Sequence, residues 1–123
     1  MITLSSLDEL KATKEAVEKL KKDYPNLFEK LFDLVNLTRA FHFKYHYMGC
    51  LIMGEDAGQC TPNFVYGSVL RLYKKELQKL KENKDYKVLK QTFSEFRNTG
   101  YAKISLLILG ETPESLVGPS SIR

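Results

Sequence analysis

Along residues 66–80 the apolar side chains fall at Tyr66, Leu70, Tyr73, Leu77 and Leu80, at intervals of 4, 3, 4 and 3. An α-helix turns once in about 3.6 residues, so this rhythm gathers all five on one side, whereas a half-buried strand requires alternation. Leu7, Leu10, Val17, Leu20 and Tyr24 keep the same period near the N-terminus, and Tyr86, Leu89, Phe93 and Phe96 keep it later. Segment 101–109 is apolar enough for a buried strand. Yet Tyr101, Ile104, Leu107 and Ile108 follow helical spacing, and no second strand candidate exists to pair with it. The expected fold class is all-α.

Helix breakers divide this periodicity. Ser6 followed by Glu9 has the spacing of a capping box and predicts the start of a first helix. Pro25 disfavours helical geometry in Tyr24 and suits the first turn of the next helix, with Asn26 and Glu29 repeating the cap pattern. The second helix is expected over 27–53, a rod of about 40 Å at about 1.5 Å per residue. Gly54, Gly58 and Thr61 make a loop before Pro62, which opens a third helix over 62–82. A fourth begins at Tyr86 after a short turn and continues past Asn98 and Gly100 to Leu109, where Gly110 is the expected cap. Short connections make neighbours antiparallel, so the architecture expected is an up-down bundle of about four helices. It occupies residues 1–110 as a single domain, with a loosely ordered tail over 111–123.

A chain of 123 residues with 43% apolar content is sufficient for one continuous core. The N-terminus has no basic region followed by an apolar run, and no stretch has the uncharged length of a membrane span, so the expectation is a soluble, cytoplasmic protein with no membrane partner. A glycine-rich phosphate loop, a nucleophile elbow and a carboxylate cluster are all missing from the sequence, which argues against a conventional metabolic enzyme.

The second helix carries two apolar stripes. Leu27, Leu31, Leu34, Phe41, Tyr45, Met48 and Ile52 make the natural core face. Phe28, Phe32, Phe43 and Cys50 make the other, with Arg39 and His46 among them. A helix apolar over most of its circumference runs through the middle of a fold or meets another chain. Phe28, Phe32 and Phe43 are therefore the candidate interface, with a protein partner or a second copy.

His42, His46 and Cys50 stand four apart, and residues at that spacing lie close on a helix. Zinc bonds are short, so one ion cannot span all three; the best ligand set is His46, Cys50 and Cys60, with the glycine-containing loop returning Cys60. The competing reading, favoured here, is packed imidazoles and buried thiols with no cofactor. Arg39 and His46 also form R-x6-H, which resembles the R-x4-6-H pattern of HEPN-type ribonucleases, small all-helical proteins that act as dimers. That resemblance implies catalysis by Arg39 and His46: the histidine moves protons near neutral pH and the arginine stabilises charge on the RNA backbone.

Net charge is only +4, but residues 62–103 carry ten basic groups against four acidic ones. Arg71, Lys74, Gln78 and Lys81 form one stripe of the third helix, flanked by Lys75 and Lys79. Lys87, Lys90, Ser94 and Arg97 do the same on the fourth. Side by side, these faces match a row of phosphates; apart, they solvate the outside of a bundle. The leading expectation is a non-enzymatic helical interaction module. It self-associates or joins a larger assembly through helix two, and binds nucleic acid, RNA ahead of DNA, through Arg71, Lys74, Lys75, Lys81, Lys87, Lys90 and Arg97. A dimeric ribonuclease and a small metal-binding helical protein are the alternatives.

Overall fold

The structure, a computed structural model, describes residues 2–40, 45–54 and 67–117, with the backbone alone for 2–6, His46, Tyr47, Gly67, Val69 and Leu70. Among these residues there are six α-helices and no strand: α1 (Ile2–Asp23), α2 (Pro25–Ala40), α3 (Tyr45–Met53), α4 (Gly67–Lys81), α5 (Tyr86–Glu95) and α6 (Tyr101–Ile108). Short 3-10 turns follow at Arg97–Thr99 and Glu114–Leu116. The chain is all-α as its periodicity requires, but the expected count of about four helices rises because two of the predicted rods are each divided.

The first helix starts earlier than its capping box. Ser6 lies inside α1, since nothing in 2–5 forbids helical geometry and the turn extends to Ile2. Pro25 acts as expected. Tyr24 is the single non-helical residue between α1 and α2; its N–H donates to the Leu20 carbonyl (2.8 Å) and its carbonyl accepts from Phe28 N–H (2.9 Å). One helix thus hands over to the next with few backbone groups left open.

The single rod expected over 27–53 is not formed. The α3 helix packs back on α2, which two parts of one straight helix cannot do. The reason lies in the two apolar stripes. With the rod divided, Phe28 and Cys50 of the second stripe share one core with Leu27, Leu31, Leu34, Met48 and Ile52 of the first. Tyr73, Leu77 and Leu80 of α4, Leu89 and Phe93 of α5 and Ile104 of α6 close that core. Each such side chain, fully withdrawn from water, contributes about 1.5–3 kcal/mol before the entropy of ordering it is counted.

The α4 helix packs more closely on α2 and α3 than on α5. Close pairing of α4 with its chain neighbour α5 is thus not among the strongest helix contacts. At the connection Asn83 Oδ1 accepts from Asp85 N–H (2.8 Å), an Asx turn that redirects the chain. The α5 helix is instead held from beneath by Leu89 and Phe93, and by the Tyr86 hydroxyl, which donates to the Ile52 carbonyl at the end of α3.

Around residues 97–100 the predicted fourth rod breaks. Gly100 takes φ +93°, a left-handed value that a side chain resists, and its carbonyl accepts Ile104 N–H (3.0 Å) to open α6. The turn is pinned to α1 by Thr99 and buried Thr13, whose hydroxyls lie 2.8 Å apart; Thr13 also donates to the Glu9 carbonyl (2.7 Å). The α6 helix closes as a Schellman motif. Gly110 N–H donates to Leu107 and Glu111 N–H to Leu106, with Gly110 at φ +104°.

Beyond it, the tail expected to be loose from residue 111 is seated through Val117. Leu116 is buried against Leu10 and Leu107, covering an apolar gap between α1 and α6 that the helices leave open. Residues 118–123 lie outside the described part. No described helix is long and apolar enough to cross a membrane.

Candidate nucleic-acid interface

Three buried side chains orient α4. With Tyr73, Leu77 and Leu80 turned inward, helical geometry sends Arg71, Lys74, Gln78 and Lys81 to one flank and Leu72, Glu76 and Lys79 to the other, with Lys75 on the outermost ridge. Arg71, Lys74 and Lys75 are exposed and Lys81 is half-buried. None of these four has an ion-pair partner among the described residues. They form an uncompensated positive edge about three turns long. Its C-terminal end is tempered by Glu82, which accepts from Gln78 Nε2 (3.2 Å), so the field is strongest around Arg71 to Lys75.

Lys79 behaves differently from its neighbours. It bridges Glu76 at 3.2 Å on the opposite flank and does not belong to the basic edge. The sequence sets it beside the basic stripe but not among the candidate binding residues.

On α5, burial of Leu89 and Phe93 leaves Lys87, Lys90, Gln91 and Ser94 exposed on the outer face. The Lys90 ammonium lies 5.9 Å from the centre of the Tyr86 ring, a contact that holds part of its charge against the protein. Arg97 is exposed in the following 3-10 turn. Since α4 packs more closely on α2 and α3 than on α5, the two basic faces count as two patches joined by the 82–85 turn, where Lys84 adds an exposed cation.

No known protein family, curated protein or solved structure matches this chain. Function must therefore be read from the surfaces themselves.

The other sequence-derived candidates are placed as follows. Phe28 is 8% exposed and covered by the chain's own core, while Phe32 is half-buried beside it, the ring centres 6.4 Å apart. The Lys21 ammonium sits 5.8 Å from the Phe28 ring, closing that end of the stripe. Phe43 lies outside the described residues. Of the proposed zinc ligands, Cys50 is buried in the core, Cys60 lies outside the described residues and the His46 side chain is not described. His42 is also outside them. Among the described residues no group of three His, Cys, Asp or Glu side chains is placed to hold a metal ion. Arg39 is exposed in the last turn of α2, and His46 belongs to the first turn of α3.

A groove between α2 and α4, lined by Lys30, Asp33, Leu34, Leu37, Leu72, Glu76 and Lys79, had no counterpart in the sequence reading. Its only signal there is Leu72, an apolar residue off the 4-3-4-3 stripe.

Proposed function

We propose that this protein is a non-enzymatic helical interaction module that binds the phosphate backbone of nucleic acid, chiefly single-stranded RNA, and associates with other chains through α2. One observation carries the first part: Arg71, Lys74 and Lys75 stand exposed and unneutralised on the outer side of α4, a helix whose inner side is fully committed to the core. Cations that only keep a bundle soluble are commonly interleaved with carboxylates, as Lys14 with Glu18 and Lys79 with Glu76 are here. On the α4 edge that interleaving stops. A polyanion gains there by releasing counterions, and nothing in the core must move. The test is fluorescence anisotropy with labelled single-stranded RNA. Replacing Arg71, Lys74 and Lys75 together by Glu is expected to lower affinity by more than about tenfold, and wild-type affinity should fall linearly in log–log form with salt. An affinity indifferent to both overturns the proposal.

A ribonuclease remains the second reading, favoured by the packing of α3 against α2. It takes Arg39, at the end of α2, and the His46 backbone, at the start of α3, off a single straight rod. In this reading His46 accepts the proton of the attacking ribose 2′-hydroxyl and returns one to the leaving 5′-oxygen as its bond to phosphorus breaks, while Arg39 stabilises the charge gathering on the phosphoryl oxygens. Arg39→Ala and His46→Ala should then each abolish metal-independent cleavage of single-stranded RNA while leaving its binding nearly intact. RNA that is bound and stays uncut rejects the enzyme and keeps the module.

A further inference from the structure

The α2 and α4 helices pack together and leave between them a groove of about 310 Å³. Leu34, Leu37 and Leu72 supply its apolar surface. Leu72 is 45% exposed and is the one large hydrophobe left open among the described residues. A leucine held out in water beside an apolar depression is at once a knob and part of a hole, the two shapes that a self-complementary interface needs on one surface.

The rim narrows the choice of occupant. The α2 helix contributes Lys30 and Asp33, and α4 contributes Glu76 and Lys79. Formal charge around the groove is therefore balanced, and neither a polyanion nor a strongly charged peptide is drawn to it from a distance. Each helix carries one cation and one carboxylate about a turn apart. A copy of the same helix laid alongside in the reverse direction presents the opposite order, so every charge meets its complement. On α4 the pair is already closed within the chain, Lys79 to Glu76 at 3.2 Å. On α2 it is open: Lys30 and Asp33 are both exposed and neither has an ion pair among the described residues.

We infer that the α2/α4 groove docks a second copy of this chain through a two-fold interface. Leu72 of each copy seats on Leu34 and Leu37 of the other, and Lys30 of each α2 meets Asp33 of its antiparallel counterpart. The inference rests on the proposed association through α2 and specifies the flank: the side of Lys30 and Leu37, not that of Phe28 and Phe32. Lys74 and Lys81 lie on the far side of α4 from Leu72, so the basic edges of both copies stay open to RNA.

Sedimentation equilibrium of the full chain, with no nucleic acid present, tests it. Wild-type protein is expected to dimerise, and Leu72→Glu to raise the dissociation constant at least about tenfold. Lys30→Asp and Asp33→Lys should each weaken the dimer, and the combined swap should restore it, because the swapped chain again complements its own copy. All three positions are exposed, and an unchanged helical spectrum verifies that the variants fold. Wild-type protein that is monomeric at every concentration overturns both the groove and the proposed self-association. A dimer untouched by Leu72→Glu but dissociated by Phe32→Glu keeps the self-association and overturns the groove. A double swap as weak as the single reversals overturns the antiparallel pairing.

Discussion

At Gly49 the absence of a single carbon sets how closely two helices approach. A Cβ placed there lies 2.3 Å from Tyr101 Cβ and 2.7 Å from its Cγ. Tyr101 cannot rotate these atoms away, because its Cβ is fixed to the backbone of α6. Gly49→Ala should therefore push α3 from α6 and lower stability by about 1–3 kcal/mol, read from the urea midpoint. Gly110 provides the contrast: a Cβ there meets nothing within 4 Å, so Gly110→Ala carries only the strain of φ +104°, about 1 kcal/mol. Tyr86 offers a pH-dependent test. Burial disfavours its phenolate and raises its pKa above the ordinary 10.0. The unfolded chain then loses this proton first, so the contribution of Tyr86 is intact below the unfolded value and is lost as pH rises through the folded one. Tyr86→Phe should cost about 1 kcal/mol at neutral pH through the lost bond to the Ile52 carbonyl. It should also flatten the fall in stability above about pH 10, as measured by urea titrations across that range.

Whole elements were legible where a residue forbids a conformation. Pro25 marks the α1/α2 boundary, and Gly110 closes α6 in the expected left-handed geometry. Helical spacing also decided segment 101–109 correctly against a strand, because an isolated strand has no partner for its backbone. The packing of α3 against α2 was not legible. No proline or glycine stands in 41–44, and the two-sided apolarity that drives this packing fits a continuous buried rod equally well in one dimension. The tail illustrates the same limit: the turn-forming "ETPESL" resembles loose chain until Leu10 and Leu107 are seen to leave a place for Leu116. Leu116→Ala should therefore destabilise the whole domain by about 2–3 kcal/mol, at the low end for a buried leucine because the site is peripheral. A melting temperature unchanged by this substitution would mean the tail is not part of the cooperative unit. At the candidate interface, the basic residues were readable singly. Their division between the flanks of α4 was readable from its apolar spacing as well; the groove that Leu72, Glu76 and Lys79 form with α2 was not.

For the molecule as a whole, the placement of α4 relative to α5 sets how the proposed RNA binding would be shared between the two helices. Two paired antiparallel helices present one broad positive surface, to which cations from both contribute equally. Here α4 packs on α2 and α3, while α5 leaves at the Asn83 turn and keeps Lys90 over its own Tyr86 ring. The α4 edge is therefore expected to hold most of the phosphate contacts, with α5 reached only by a strand long enough to follow the turn. Counterion release makes this countable, because each phosphate contact on a single strand contributes about 0.7 to the slope of log affinity against log salt. Replacing Arg71, Lys74 and Lys75 together by Gln should reduce the slope by about 2, on a short or a long oligonucleotide. Replacing Lys87 and Lys90 by Gln should leave a short oligonucleotide unaffected and reduce the slope by about 1 only on a longer one. Equal losses from both helices on the short strand would show that the two patches act as one surface, in conflict with the closer packing of α4 on α2 and α3.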